Sequence, residues 1–256
     1  MKVRILGSGT SSGVPRIGND WGACDPQEPR NRRLRVSILV ETATTRILVD
    51  TGPDMREQLL TAGISDVDAV IWTHDHADHS HGIDDLRQLF HAMRRPVRGF
   101  ARPSTAAVLK ERFGYVFEGQ HGYRPSATLA PLPDRMTIGD ICIGAADQPH
   151  GNIHSAGLRF DADGGSIGYA TDFNVMTDDM RSLYKSLDVW IVDTLRRTPH
   201  PSHPHLAEGL RWIEELKPHR AALTHLDQSM DYAMLLSELP SNVVPGHDGL
   251  EFEVGA

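Results

Sequence analysis

The chain has 256 residues, 39% of them hydrophobic and 23% charged, enough for one large domain or two small ones around a buried core. Its net charge of −8 argues against long-range attraction to nucleic acid or to an anionic membrane. Two cysteines, Cys24 and Cys142, exclude a disulfide framework; reduced thiols, and an opening MKVRILGSGT that turns polar too soon for a secretion signal, fit a cytoplasmic protein, and no apolar run approaches membrane-spanning length.

The first predicted strand is VRIL. Behind it, ILGSGTSSGVP carries Gly7, Gly9 and Gly13. A dinucleotide-binding turn has G-x-G-x-x-G leading into a helix. Here the third glycine comes one residue late and Val14-Pro15 follows, so a tight loop that brings backbone against backbone is the better reading. The basic stretch RNRRLR reads as a solvated face, with Arg32 and Arg33 placed either to brace this loop or to meet a phosphate.

Three β-branched runs follow, RVSILVE, TRILVDTG and DAVIWTH, and read as strands. Helical spacing appears in PDMREQLLTAG, between a start at Asp54 and a stop at Gly63, then in IDDLRQLFHAM and STAAVLKERFGYVF. Residues 115–135 read as loop, either a flap over a site or a plain connection. Beyond them come ICIGAA, with Cys142 as a small core residue, and GSIGYATD. A helix DDMRSLYKSL opens at Thr177 or Asp178, and VWIVDT, LAEGLRWIEELK, AALTH, YAMLLSEL and LEFEV complete the chain. Early strands with little helix between them, then strands alternating with helices, predict an α+β arrangement of sheets layered with helices. No boundary signal divides residues 1–256, which read as a single domain.

The densest chemistry lies in WTHDHADHSHG, Trp72 to Gly82, with four histidines and two aspartates directly after an apolar run. At a strand end a side chain is rigidly held yet reachable. His74 and His76 are alternate residues and share a face of an extended segment. Asp78 and His79 follow a turn and face a second point. The spacing suits two cations on one loop better than one, and imidazole with carboxylate suits zinc, manganese or iron. Further donors close later strands: His150 in DQPHG, Asp172 in GYATDF, His225 in AALTHL and Asp50 in RILVDTG.

The ordered set H-x-H-x-D-H, His, Asp, His resembles that of the metallo-β-lactamase-fold hydrolases, through most of the chain. The resemblance implies a four-layer αββα sandwich with two divalent metal ions, Zn or Mn, at one rim of the sheets. It implies that His74, His76 and His150 hold one ion, that Asp78, His79 and His225 hold the other, and that Asp172 bridges them. It implies that Asp50 supports the loop, and His81 reads as a supporting or solvated residue. Asp78 stands where the antibiotic-hydrolysing branch often has a cysteine. GSGTSSGVPRIG, NRRLRVSILVE and PSHPHLAEGLRWIEEL are instead similar to the phosphodiesterase branch, the cyclic phosphodiesterases of the carbon–phosphorus lyase pathway.

That likeness implies hydrolysis of a small cyclic or nucleotide-like phosphodiester. A water ionised between the cations attacks phosphorus, with His203 as the acid for the leaving group. His205 is the alternative acid, His200 a third histidine of the same loop, and His247 a lesser candidate for touching substrate. The cysteine-rich zinc loop of those enzymes is reduced here to Cys24, and Gln228 stands where a further histidine would help, so no structural zinc is expected. Other hydrolases of the fold, a glyoxalase-like thioesterase or a lactonase, are the alternatives, together with a ribonuclease related to tRNA 3′-processing enzymes. The inserted tRNA-gripping arm of those nucleases has no counterpart. A homodimer is implied only by the resemblance.

Overall fold

The computed structural model describes residues 1–255. Apolar residues fill nearly every position of the early strand segments, and the structure puts a layer on each side of them. Strands β1 (Lys2–Gly7), β2 (Ser37–Glu41), β3 (Arg46–Val49), β4 (Ala69–Trp72), β5 (Val97–Ala101) and β6 (Ala127–Pro131) form one sheet, with β14 (Glu251–Glu253) beside β1. The second sheet runs β7 (Arg135–Ile138), β8 (Ile141–His150), β9 (Ile153–Ala162), β10 (Gly165–Ala170), β11 (Val189–Asp193), β12 (Arg220–Thr224) and β13 (Val243–Pro245) in spatial order. Each sheet starts antiparallel and turns parallel, from β3 to β6 in one and from β10 to β13 in the other.

Successive strand residues point to opposite faces, and the core divides accordingly. Ile38, Val40, Ile47, Val49, Ala69 and Ile71 face Val189, Ile191 and Phe160 of the other sheet. Leu39, Leu48, Val70 and Trp72 point outward to α1 (Met55–Ala62), α3 (Leu86–Met93) and α4 (Pro103–Glu118). On the opposite side Trp190, Val192 and Leu223 meet α5 (Asp178–Leu183), α6 (Leu206–Leu216) and α7 (Tyr232–Glu238). The order of layers is helix, sheet, sheet, helix, as expected from the sequence. Sheets covered on both faces explain the unbroken apolar runs.

Several local readings change. Residues 115–135 are largely ordered elements: α4 continues to Glu118, β6 takes 127–131 and β7 begins at Arg135. Both strands were hidden because β6 ends in proline and β7 is a short sheet-edge strand with exposed residues. β5, behind the basic stretch HAMRRPVR, and the long β9 also lack the runs that mark the other strands. Cys142 is exposed, not a core residue, because β8 turns Ile141 and Ile143 inward and so turns Cys142 out. Asp54 starts α1 without capping it; its carboxylate instead accepts from Arg35 N at 2.8 Å. Thr177 does cap α5, accepting from Met180 N, and Gly63 ends α1 at φ 68°. The glycine loop behaves as a close approach: a Cβ on Gly7 would stand 2.0 Å from Arg35 O. Among the described residues no helix is long and apolar enough to cross a membrane.

Candidate metal centre

The carboxyl ends of the parallel strands all open on one rim, where open α/β sheets bind their ligands. Asp50 follows β3, His74 follows β4 by one intervening residue, Asp172 follows β10, Asp193 ends β11, His225 follows β12 and His150 ends β8. Asp50, Asp172 and His225 all take left-handed backbone, with φ of 65°, 54° and 60°. Such values are uncommon outside glycine and cluster at functional sites. Here they turn the chain sharply as it leaves each strand. The short helix α2 (Ala77–Ser80) carries Asp78 and His79. It is stitched to the Asp50 turn by Thr51 N donating to His79 O at 2.8 Å. A Cβ on Gly52 would lie 2.2 Å from Asp78 O, so only glycine fits there.

Three overlapping groups of side chains result, one of them Asp172, Asp193, His203 and His225; the other two carry the predicted ligands. His74, His76, His150 and Asp172 offer one ligand atom each, all within 4.8 Å of one another, and so do Asp78, His79, Asp172 and His225. Asp172 belongs to both. Its Oδ1 lies 3.1 Å from His79 Nε2, and its Oδ2 lies 3.7, 3.6 and 3.5 Å from Nε2 of His74, His150 and His225. Asp78 Oδ2 is 3.4 Å from His79 Nε2 and 3.6 Å from His225 Nε2. Donors bonded at ~2.0–2.1 Å to a tetrahedral cation stand about 3.4 Å apart. The donor set therefore fits divalent cations in spacing as well as in chemistry.

The hydrogen bonds agree with that fit. His74 Nδ1 donates to Thr73 Oγ1 at 3.1 Å, His79 Nδ1 to Asp50 Oδ2 at 2.8 Å and His150 Nδ1 to Ser202 O at 2.9 Å. The opposite nitrogens are thereby left as bases facing the rim, the usual arrangement behind a metal-binding imidazole. Nε2 of His74, His79 and His225 is buried without a hydrogen-bond partner, an expensive state unless a cation takes the lone pair. Asp50 is itself fixed by Thr73 N at 2.7 Å and Thr73 Oγ1 at 2.8 Å.

Charge is concentrated accordingly. Burial works against the Asp172 anion, but His225, His79 and His74 outweigh it and hold its carboxyl well below the usual range. Burial likewise opposes charge on His225, and without a cation Asp172 with Asp193 overcomes it and raises the ring to about 9, so a metal ion binding Nε2 displaces a proton there. His74 is pushed well down by burial and by neighbouring His79.

His203 borders both groups. Its Nδ1 donates to Asp193 Oδ2 at 2.7 Å and its Nε2 lies 3.8 Å from Asp172 Oδ2, with the ring stacked on His225 at 4.7 Å between centroids. Asp193 was not foreseen, although VWIVDT has the same form as RILVDTG and GYATDF: an apolar run closed by aspartate. It also accepts from Asp172 N at 3.0 Å.

The remaining candidates are committed to other partners, although the His200 ring packs on His203 at 5.1 Å between centroids. His205 caps α6 and engages Glu208 Oε2 at 2.7 Å. His200 bonds within its own loop, to Ser202. His247 meets Asp248 O and packs edge-on against Tyr232. His81 is exposed against Phe113. Arg33 is buried and donates to Met230 O at 2.7 Å, with Nη1 3.8 Å from Cys24 Sγ. Those contacts brace the loop. Arg32 is exposed over Trp21.

A histidine–aspartate rim at the strand ends of an αββα sandwich could hold metal ions, and the comparisons place the chain in a family of that fold. The β-lactamase superfamily domain model matches residues 45–226, and the chain belongs to that superfamily, with the metallo-β-lactamase fold. More particularly, it is 33% identical to a diphosphatase from the PhnP family, with TM-score 0.90 over 99% of this chain and 97% of that one. It is 32% identical to an octanoyltransferase of Porphyromonas gingivalis over 98% of this chain and 51% of that protein. The chain spans between 30% and 57% of the length of the curated relatives it matches. Zn(2+)-bound PqqB from Methylobacterium extorquens shares the fold at TM-score 0.78 and 16% identity, covering 99% of this chain and 100% of that one.

Proposed function

We propose that the chain is a dinuclear metal-dependent phosphodiesterase acting on small cyclic or nucleotide-like phosphodiesters. The observation that carries this reading is the Asp172 carboxylate standing between two complete donor groups, with His203 beside it on an Asp193 support. His74, His76 and His150 would hold one cation, Asp78, His79 and His225 the other, and Asp172 both. When bound, such cations acidify water at neutral pH and neutralise phosphoryl oxygens.

The chain's own residues supply the rest. Asp50 and Thr73 fix the orientation of His79 and His74. Thr171 Oγ1 donates to Asp172 Oδ1 at 2.5 Å and holds that carboxylate in one rotamer. His203 binds Asp193 through Nδ1, so a proton on Nε2 faces the rim. As the bond from phosphorus to the leaving oxygen breaks, that proton passes to the departing alkoxide. Asp193 fixes the ring so that Nε2 is aimed at that oxygen. His205 is committed to its helix cap, so His203 carries the acid role. The similarity to a PhnP-family diphosphatase supports a phosphoryl substrate.

The test is turnover by zinc- or manganese-loaded protein. Hydrolysis of bis(p-nitrophenyl) phosphate with no action on S-lactoylglutathione or homoserine lactones is the expected pattern. The reverse pattern would replace the phosphodiester reading with the thioesterase or lactonase one.

A further inference from the structure

Away from the metal rim, a cavity of about 540 Å³ lies beside α3 and the carboxyl end of α4, walled on one side by the segment 120–126. That wall is a constructed turn. Tyr123 N donates to Gln120 O at 2.9 Å, and His121 and Gly122 take φ of 50° and 85°, as the central residues of a type I′ turn do. Ser126 N then donates to Val116 O at 2.9 Å and ties the segment back to α4. Tyr123 and Arg124 are thereby set at the mouth of the cavity.

The lining is basic in an acidic protein. Arg87, His91, His121 and Arg124 face a single carboxylate, Asp84, and Asp84 already accepts from Tyr115 OH at 2.6 Å. The Arg87 guanidinium lies over the Tyr123 ring at 4.7 Å and forms with it a flat, cationic platform. Such a pair takes a second π-system on its open side, because both a ring face and a guanidinium plane stack on heteroaromatic bases. The neighbouring Arg124 and His121 attract an anion attached to it.

We propose that this cavity binds a mononucleotide, with the base against the Arg87–Tyr123 platform and the phosphate towards Arg124 and His121. The site uses none of the metal-rim residues, so it stands independently of the catalytic reading. Calorimetric titration of the metal-loaded full chain with AMP, adenosine and inorganic phosphate tests it. AMP should bind more tightly than either fragment. The double variant Arg87→Ala, Tyr123→Ala should weaken AMP by about tenfold or more without moving the thermal midpoint, both side chains being exposed. His203→Ala, at the other site, should leave AMP binding intact. An AMP isotherm unchanged in the double variant, or inorganic phosphate binding as tightly as AMP, would overturn the proposal.

Discussion

At the scale of single residues, what distinguishes His203 from the other histidines of its loop is its partner. Five positions separate His200 from His205, yet only His203 meets a buried carboxylate, Asp193, and the rim carboxylate Asp172 together. Replacing His203 by Ala should therefore lower kcat about 10²–10⁴-fold on esters with poor, alkyl leaving groups. It should act far less on p-nitrophenyl esters, whose leaving group departs without a proton. Equal losses on both substrates would show that His203 is not the acid. Asp193→Asn should follow the same leaving-group pattern with KM little changed. Asp50→Ala should weaken metal binding roughly 10–100-fold, measured by competition with a chelator. The identity of the donors was legible because they recur at the ends of apolar runs. Asp193 followed that same rule but was read only as the end of a strand. The left-handed turns at Asp50, Asp172 and His225 were not legible, since the chain uses ordinary residues where glycine would have signalled them.

Elements carry the site through their packing. Trp72, the last residue of β4, is fully buried on the α4 side. Its ring meets Phe117 edge-on at 5.9 Å and its Nε1 donates to Thr51 Oγ1 at 2.8 Å. It thus joins β4, α4 and the Asp50 turn two residues before the metal motif begins at His74. Trp72→Phe, which leaves Thr51 without its donor and a gap in the core, should cost about 1–3 kcal/mol in urea unfolding.

A second element contact senses acid. Asp140, in the β7–β8 turn, accepts from Thr42 Oγ1 at 2.8 Å and Thr44 Oγ1 at 3.0 Å. Bonding to Thr45 and Thr42 holds its carboxyl down, from an ordinary 3.8 to about 2. A depressed carboxyl stabilises the fold above its unfolded value and loses that contribution as pH falls towards its folded one. The difference in urea midpoint between wild type and Asp140→Asn should therefore shrink between about pH 4 and pH 2. A difference constant across that window would show that the threonine bonds do not favour the anion. The two sheets illustrate the limit of reading elements from sequence. β2 to β4 were plain because both their faces are buried, whereas β6 and β7 lie at the sheet edges and keep a mixed composition.

For the whole molecule, two sheets of like topology place their strand ends on one rim, and positions as distant as His74 and His225 become neighbours only there. Sequence periodicity gives strands and helices but not which strands pair. The αββα order came from resemblance alone, while the register that aligns the donors needed coordinates. Because buried Nε2 atoms of His74, His79 and His225 lack hydrogen-bond partners, cations bound there stabilise the native state alone. At ~1,000-fold excess over Kd this amounts to roughly 4 kcal/mol. Chelation should lower the thermal midpoint, and added zinc or manganese should restore it.

The most direct test of the account is elemental analysis of the purified chain beside its Asp172→Ala variant. The account predicts two transition-metal ions per wild-type chain and marked loss from the variant, since Asp172 serves both groups. A wild-type chain that binds no transition metal, or a variant that keeps the full complement, would contradict it.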